Sequence, residues 1–307
     1  MELGVVRKSH LGGVLTVLMC LSVTVGGPIA SAQPDTAQRY VALGSSYASG
    51  PGIEPMEDRG CMRSAGNYPH RLAAGLGLEL VDATCAGATT ADVLLGRQQQ
   101  VPGGGTVAAP QVDSVTPDTT LVTVSIGGND LGLIGGMLGR SCGPLLAPND
   151  PAVAATASRA CATALGAANP PAPADFAAVQ QSMVDIVGAV RARAPRARVL
   201  LVEYLPVLDP TASTCPDVPL APADAVAARH TYDGLIAATR AAAAAAGAVS
   251  VAVPGAETHT ACAAAPWVNG LRDPLTTGDP AAVAGAYHPN SAGMAATADR
   301  SLQLLGS

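Results

Sequence analysis

Short, nearly continuous apolar runs recur along this chain and are separated by longer stretches with helical patterning. The runs Tyr40–Leu43, Leu121–Ile126 and Val199–Val202 each stop at a glycine or a polar residue. Strands that are buried on both faces read as continuous apolar runs, and strands that alternate with helices build parallel sheets. With further strands expected at Glu79–Cys85 and Ala248–Val253, the pattern predicts an α/β fold with a largely parallel sheet.

The segments between these strands have two characters. Helices are predicted where apolar residues recur at helical spacing or alanine dominates, namely Tyr68–Leu76, Asp175–Arg193, Ala223–Ala246 and Asn290–Leu305. By contrast, Gln98–Asp118 is polar and rich in Gly and Pro, and Ser141–Pro173 is rich in Ala and Pro. Both are predicted to be irregular.

The N-terminal stretch has the features of an export signal. The basic residues Arg7 and Lys8 precede the apolar run Leu11–Val25, and Ala30–Ala32 is a small-residue cleavage site. This arrangement predicts a secretory signal peptide over residues 1–32. The apolar run is short for a bilayer span, so we expect no stable membrane insertion.

The processed chain, residues 33–307, shows neither an internal repeat nor a composition break, which predicts a single domain. We also expect a monomer. The full chain has a formal net charge of −6, and Lys8 is its only lysine. An acidic surface without lysine argues against nucleic acid and anionic membranes as partners.

Six cysteines remain after removal of the signal peptide: Cys61, Cys85, Cys142, Cys161, Cys215 and Cys262. An even number in an exported chain predicts disulfides, and nearest-neighbour pairing is the simplest of several possible patterns. No Cys-x-x-Cys occurs, and the spacings do not favour zinc. We therefore expect neither a metal nor another cofactor.

Two serines, Ser45 and Ser46, follow the break at Gly44 after the first apolar run, and Ser46 is the candidate nucleophile. A serine hydroxyl needs a base and oxyanion donors to act in this way, and a serine at such a place is often only a turn or helix cap. His288 is the candidate base, because Pro289 disfavours helix at His288 and Asn290 or Ser291 can cap the helix that follows.

Oxyanion donors are expected at two further strand ends. Gly87 follows the second strand and can present an unobstructed backbone N–H, and Asn129 follows the third strand with a side-chain amide. The ends of parallel strands gather at one edge of a sheet, so these groups should lie near Ser46. Of the other histidines, His70 and His230 lie in helical patterns, whereas His259 stays a second candidate.

Four stretches in order resemble the SGNH hydrolases, also called the GDSL esterase/lipase family, over residues 39–305. They are Gly44–Gly50, Gly87, Gly127–Asp130 and His288–Gly293. The resemblance implies a three-layer α/β/α sandwich with a five-stranded, flavodoxin-like parallel sheet. It also implies a secreted serine esterase or lipase that hydrolyses small-molecule or lipid carboxylic esters.

By the same resemblance, Ser46 is the nucleophile and His288 the base. The Ser46 N–H, the Gly87 N–H and the Asn129 side chain would form the oxyanion hole. The cysteines resemble those of the secreted actinomycete lipases and phospholipases, which implies the sequential disulfides Cys61–Cys85, Cys142–Cys161 and Cys215–Cys262.

Two positions depart from the family pattern. Ser45 stands where the family has an Asp before the nucleophile, and Gly285 stands where an Asp usually orients the histidine. Some secreted relatives use a main-chain carbonyl instead, in a Ser-His dyad, and the matching carbonyl here is that of Ala286. Asp279 is an alternative partner of His288.

Three other functions fit the same residues. An acyltransferase or a carbohydrate deacetylase would use the same site. A non-catalytic cell-envelope binding protein that kept the fold would explain the loss of two carboxylates, but not the retention of Ser46, Gly87, Asn129 and His288.

Overall fold

A computed structural model of the chain describes residues 1–5, 9, 38–96, 109–147, 149–165, 169–271 and 284–306. Most of the predicted signal peptide lies outside these residues. The strands are β1 (Arg39–Gly44), β2 (Met56–Asp58), β3 (Arg63–Ser64), β4 (Glu79–Asp82), β5 (Thr119–Ser125), β6 (Arg198–Val202) and β7 (Val249–Val251). The helices are α1 (Ser46–Ser49), α2 (Tyr68–Leu76), α3 (Thr90–Leu95), α4 (Leu133–Leu146), α5 (Pro151–Ala164), α6 (Pro173–Arg193), α7 (Pro222–Ala246) and α8 (Ser291–Gly306).

Five of the strands form one parallel sheet in the order β4-β1-β5-β6-β7. Strand β1 thus lies between β4 and β5, which are the second and third strands of this sheet in chain order. This is the flavodoxin-like order. The α/β prediction is confirmed, including the five-stranded parallel sheet. The remaining strands, β2 and β3, form a small antiparallel pair of their own.

Helices cover both faces of the sheet, as the uninterrupted apolar strands predict. In β1, Tyr40 and Ala42 face a layer that contains α2 and α8, whereas Val41 and Leu43 face the layer of α6 and α7. All four of these side chains are fully buried. The sheet is therefore the middle of three layers. Because helices cover both of its faces, the site is expected at the ends of its strands.

The prediction that Ser141–Pro173 is irregular was wrong, because much of it belongs to α4 and α5. Asp150 caps α5 by accepting the N–H groups of its first turn, and the proline that follows fits a helix start. Gly139 lets the two helices touch, since a Cβ there would lie 2.4 Å from the Ala162 Cα. The Gly and Pro residues therefore shape this helix pair and do not break it.

Two of the three predicted disulfides, Cys61–Cys85 and Cys215–Cys262, are bonded in the structure. The third is a correction, because Cys142 on α4 and Cys161 on α5 are free thiols. The two thiols are neighbours, and burial and the hydrogen bond with Cys161 raise the pKa of Cys142 to about 11.

Among the helices of the described ranges, none is long and apolar enough to cross a lipid bilayer.

Candidate active site

The nucleophile turn begins where β1 ends. Gly44 has a φ of +149°, and a Cβ at this position would lie 2.4 Å from the Ser125 carbonyl oxygen on β5. Only glycine fits such a close approach. Ser45 continues in extended conformation with its N–H 2.9 Å from the same oxygen, and Ser46 opens α1 with 7% of its surface exposed.

Gln111 holds this turn from the other side. Its side-chain oxygen accepts the Gly44 N–H at 2.7 Å, and its amide donates to the Gly44 carbonyl at 3.0 Å. Gln111 is buried in a short 3-10 helix, Gln111–Ser114, so placing it in an irregular surface loop was wrong. No motif marks this residue, and only the fold brings it to Gly44.

The imidazole of His288 contacts Ser46 with one nitrogen and the backbone of its own loop with the other. Its Nε2 is 2.8 Å from the Ser46 Oγ, and its Nδ1 is 2.8 Å from the Ala286 carbonyl oxygen. Because a carbonyl can only accept, Nδ1 carries the proton and Nε2 is free to accept from the Ser46 hydroxyl. Burial lowers the pKa of His288 to about 4, so the imidazole is neutral at neutral pH.

The loop that carries His288 is clamped by Asn269. The Asn269 backbone donates to the His288 carbonyl at 2.9 Å and accepts the Tyr287 N–H at 3.1 Å. Its side chain donates to the Gly285 carbonyl at 3.1 Å. Immediately afterwards, Asn290, one of the two predicted cap residues, caps α8 by accepting the N–H groups of its first turn.

The candidate oxyanion donors lie in turns that bind one another. Asn129 donates one side-chain N–H to the Ala88 carbonyl at 2.8 Å, which leaves its second N–H for another acceptor. Gly87 has a φ of +84°. Within the described part of the chain, neither the Ser46 N–H nor the Gly87 N–H donates to a protein group.

Asp130 joins these donor turns more firmly. Its carboxylate accepts the Thr90 hydroxyl at 2.6 Å and the Thr90 N–H at 3.1 Å, so the start of α3 is bound to the turn after β5. The carboxylate of this motif therefore fixes the place of Asn129 beside the Gly87 turn.

Tyr204, which the sequence did not single out, connects the nucleophile turn to the Asn129 turn. Its hydroxyl lies 2.5 Å from the Ser45 Oγ. The ring lies directly over Gly128, where a Cβ would be 2.5 Å from a ring carbon. The serine that replaces the family's Asp thus has a buried phenol as its partner.

Two of the other histidines, His259 and His70, have contacts elsewhere. His259 stacks on Trp267 with 4.0 Å between ring centroids, and its Nδ1 is 2.7 Å from the Ala265 carbonyl. His70 lies 3.0 Å from Glu57.

Asp279, the alternative partner of His288, lies outside the described residues. Within those residues, no group of His, Cys, Asp and Glu could hold a metal ion.

The sequence profile of the GDSL-like Lipase/Acylhydrolase family matches residues 42–296, which include every strand of the main sheet except the start of β1. The chain belongs to this family. It is accordingly a hydrolase of carboxylic esters, and the predicted family and enzyme class are confirmed.

Three relatives from Streptomyces illustrate the similarity. The chain is 32% identical to "Lipase 2" of Streptomyces coelicolor over 90% of its own length and 89% of that protein. It is also similar to the crystal structure of an extracellular lipase from Streptomyces rimosus, with 26% identity and a TM-score of 0.64 over 87% of this chain and 99% of the other. A phospholipase A1 from Streptomyces albidoflavus gives 25% identity and a TM-score of 0.61 over the same shares.

Proposed function

We propose that this GDSL family member is a secreted serine esterase or lipase that works through an acyl-enzyme on a Ser46–His288 dyad. The observation that carries the proposal is the relay in which His288 contacts the Ser46 hydroxyl with one nitrogen and the Ala286 carbonyl with the other. A neutral imidazole held in this tautomer is a base ready for the hydroxyl proton.

In the acylation step, the Ser46 Oγ attacks the ester carbonyl carbon while its proton passes to Nε2 of His288. The resulting tetrahedral oxyanion would be bound by the N–H groups of Ser46, Gly87 and Asn129. The imidazolium then protonates the leaving alkoxide as the ester C–O bond breaks. The alcohol departs, and the acyl group stays on Ser46.

Deacylation repeats these steps with water. His288 takes a proton from the attacking water, the tetrahedral intermediate forms again, and the imidazolium returns the proton to the Ser46 oxygen as the acyl bond breaks. The carboxylic acid leaves and the dyad is restored.

The carbonyl of Ala286 takes the place of a carboxylate in this scheme. It sets the tautomer and the ring orientation, but a neutral dipole stabilises imidazolium less than a full negative charge does. We therefore expect slower acylation than in a comparable site with an Asp at residue 285.

Export is part of the proposal. It is supported by the N-terminal sequence, by the disulfides Cys61–Cys85 and Cys215–Cys262, and by the extracellular lipase among the similar structures. N-terminal sequencing of protein recovered from a culture supernatant tests it, and a start at Gln33 is the expected result.

The mechanism is tested with Ser46→Ala, assayed on chromogenic acyl esters and by labelling with a fluorophosphonate. Both activities should disappear. Ser49→Ala is the matched control, because Ser49 lies on the same short helix, is fully buried, and has an Oγ without a hydrogen-bond partner among the described residues. Undiminished turnover in the Ser46 variant would exclude Ser46 as the nucleophile.

A panel of acyl chain lengths, with and without an added alcohol acceptor, then separates the alternatives. Hydrolysis that prevails over transfer supports an esterase, whereas a dominant alkyl ester product identifies an acyltransferase. A folded wild-type protein that the fluorophosphonate fails to label is the result expected of a non-catalytic binding protein.

A further inference from the structure

Tyr287, the residue between Ala286 and His288, has an unusual backbone conformation. Its φ is +60°, in the left-handed region that non-glycine residues seldom adopt. The Ala286 carbonyl and the His288 imidazole, which form the relay, belong to the residues on either side of Tyr287. A residue held in this region needs neighbours that compensate the cost, so the contacts of Tyr287 matter for the site.

Two hydroxyl groups hold Tyr287. The Tyr47 hydroxyl donates to the Tyr287 carbonyl at 2.9 Å. At its other end, the Tyr287 hydroxyl lies 2.8 Å from the Ser141 Oγ. Because Ser141 already donates its proton to the Met137 carbonyl, the Tyr287 hydroxyl must be the donor in this pair.

Tyr47 also contacts the catalytic imidazole directly. Its ring lies 5.5 Å from the His288 ring, centroid to centroid, and on its other side it stacks on Tyr204 at 3.9 Å. Because it follows Ser46 in the chain, Tyr47 moves with the candidate nucleophile. A single side chain therefore touches the helix of Ser46, the ring of His288 and the backbone just before it.

We propose that the Tyr47 hydroxyl, Tyr287 and Ser141 form a hydroxyl clamp that positions His288 for proton transfer, in the absence of a carboxylate at residue 285. This inference rests on the proposed Ser46–His288 dyad. The clamp keeps Tyr287 left-handed, and that conformation turns the Ala286 carbonyl towards Nδ1 of His288. Tyr47 and Ser141 are positioning residues in this scheme.

Tyr47→Phe is the first test, because it removes only the hydroxyl and keeps the stacked ring. We expect kcat to fall about 10-fold, the effect of losing one buried hydrogen bond in the transition state, with KM within about 2-fold. Tyr40→Phe is the matched control. Tyr40 is also buried and has one hydroxyl contact, to Thr123 at 2.7 Å, and among the described residues no hydrogen bond joins its side chain to the loop of His288.

Ser141→Ala is the second test and does not depend on whether Tyr47→Phe folds. Its control is Ser301→Ala, since Ser301 is also fully buried and donates to the carbonyl four residues earlier at 2.8 Å, without a tyrosine partner. We expect kcat to fall about 3- to 10-fold in Ser141→Ala and to stay within about 2-fold of wild type in Ser301→Ala.

The pH profile distinguishes positioning from general damage to the fold. A loosened loop admits water to His288, so the acid limb of kcat/KM should move upward in Tyr47→Phe and Ser141→Ala but not in their controls. Clamp variants that match their controls in kcat and in pH profile would overturn the clamp. If the fluorophosphonate fails to label even the wild type, the dyad itself is wrong, and the clamp falls with it.

Discussion

Lowering the pH is the perturbation that tests the active site most directly, because His288 must be neutral to accept the Ser46 proton. Burial in the loop lowers its pKa to about 4. At about pH 5 such a base is still about nine-tenths neutral, whereas a histidine with the ordinary pKa of about 6.5 would be only about 3% neutral. The structure therefore predicts about 30-fold more activity at this pH than an exposed histidine would allow.

The assay is kcat/KM on an uncharged short-chain ester from about pH 3.5 to 8, because the free enzyme's essential base sets the acid limb of this profile. The rate of fluorophosphonate inactivation over the same range provides a second measure that does not depend on deacylation. We expect both to be flat down to about pH 5 and to fall through about pH 4. An acid limb at about pH 6 or above would refute the reasoning from burial.

Stability should change over the same range. The folded state holds His288 neutral, while the unfolded chain takes up a proton below about pH 6.5. Stability contributed by this group is therefore lost as the pH falls from about 6.5 to about 4, by up to about 3 kcal/mol. Urea unfolding of the wild type and of His288→Asn, compared at both ends of this range, measures the contribution of His288 as the difference between the two proteins.

Three further variants follow from the contacts of the site. Gln111→Ala should lower the free energy of unfolding by about 1–3 kcal/mol, because the buried Gly44 N–H loses its acceptor, and urea denaturation measures this. Asn129→Ala should lower kcat by about 100-fold or more with little change in KM if its free N–H binds the oxyanion, and an unchanged kcat would exclude that role. For Cys142 and Cys161, alkylation under denaturing, non-reducing conditions followed by mass spectrometry should show two free thiols, whereas unmodified cysteines would mean that a third disulfide forms.

The chain's linear pattern determined the architecture. Continuous apolar runs between helical segments are sufficient to indicate a parallel sheet with both faces covered, because each strand must bury both of its sides. The ordered family motifs named Ser46, Gly87, Asn129 and His288. They did so through local chemistry, since a glycine or polar residue directly after a strand is visible without knowledge of the fold.

What holds these groups in place was decided by tertiary structure. Gln111 reaches Gly44 from a segment that reads as an irregular loop, and Tyr204 joins two turns that lie far apart in the sequence. Such contacts have no period and no motif, because they depend on which strand ends the sheet brings together.

The helix pair α4 and α5 shows the same limit. Pro lowers helix propensity, so the segment Ser141–Pro173, which is rich in Ala and Pro, was predicted to be irregular. In the folded protein, the missing side chain of Gly139 is what lets the helices touch, and α4 carries Ser141 to the loop of His288. Helix propensity gives the energetic cost of a residue in an isolated helix. The close packing that a residue such as Gly139 allows depends on a neighbouring helix, which only the folded structure provides.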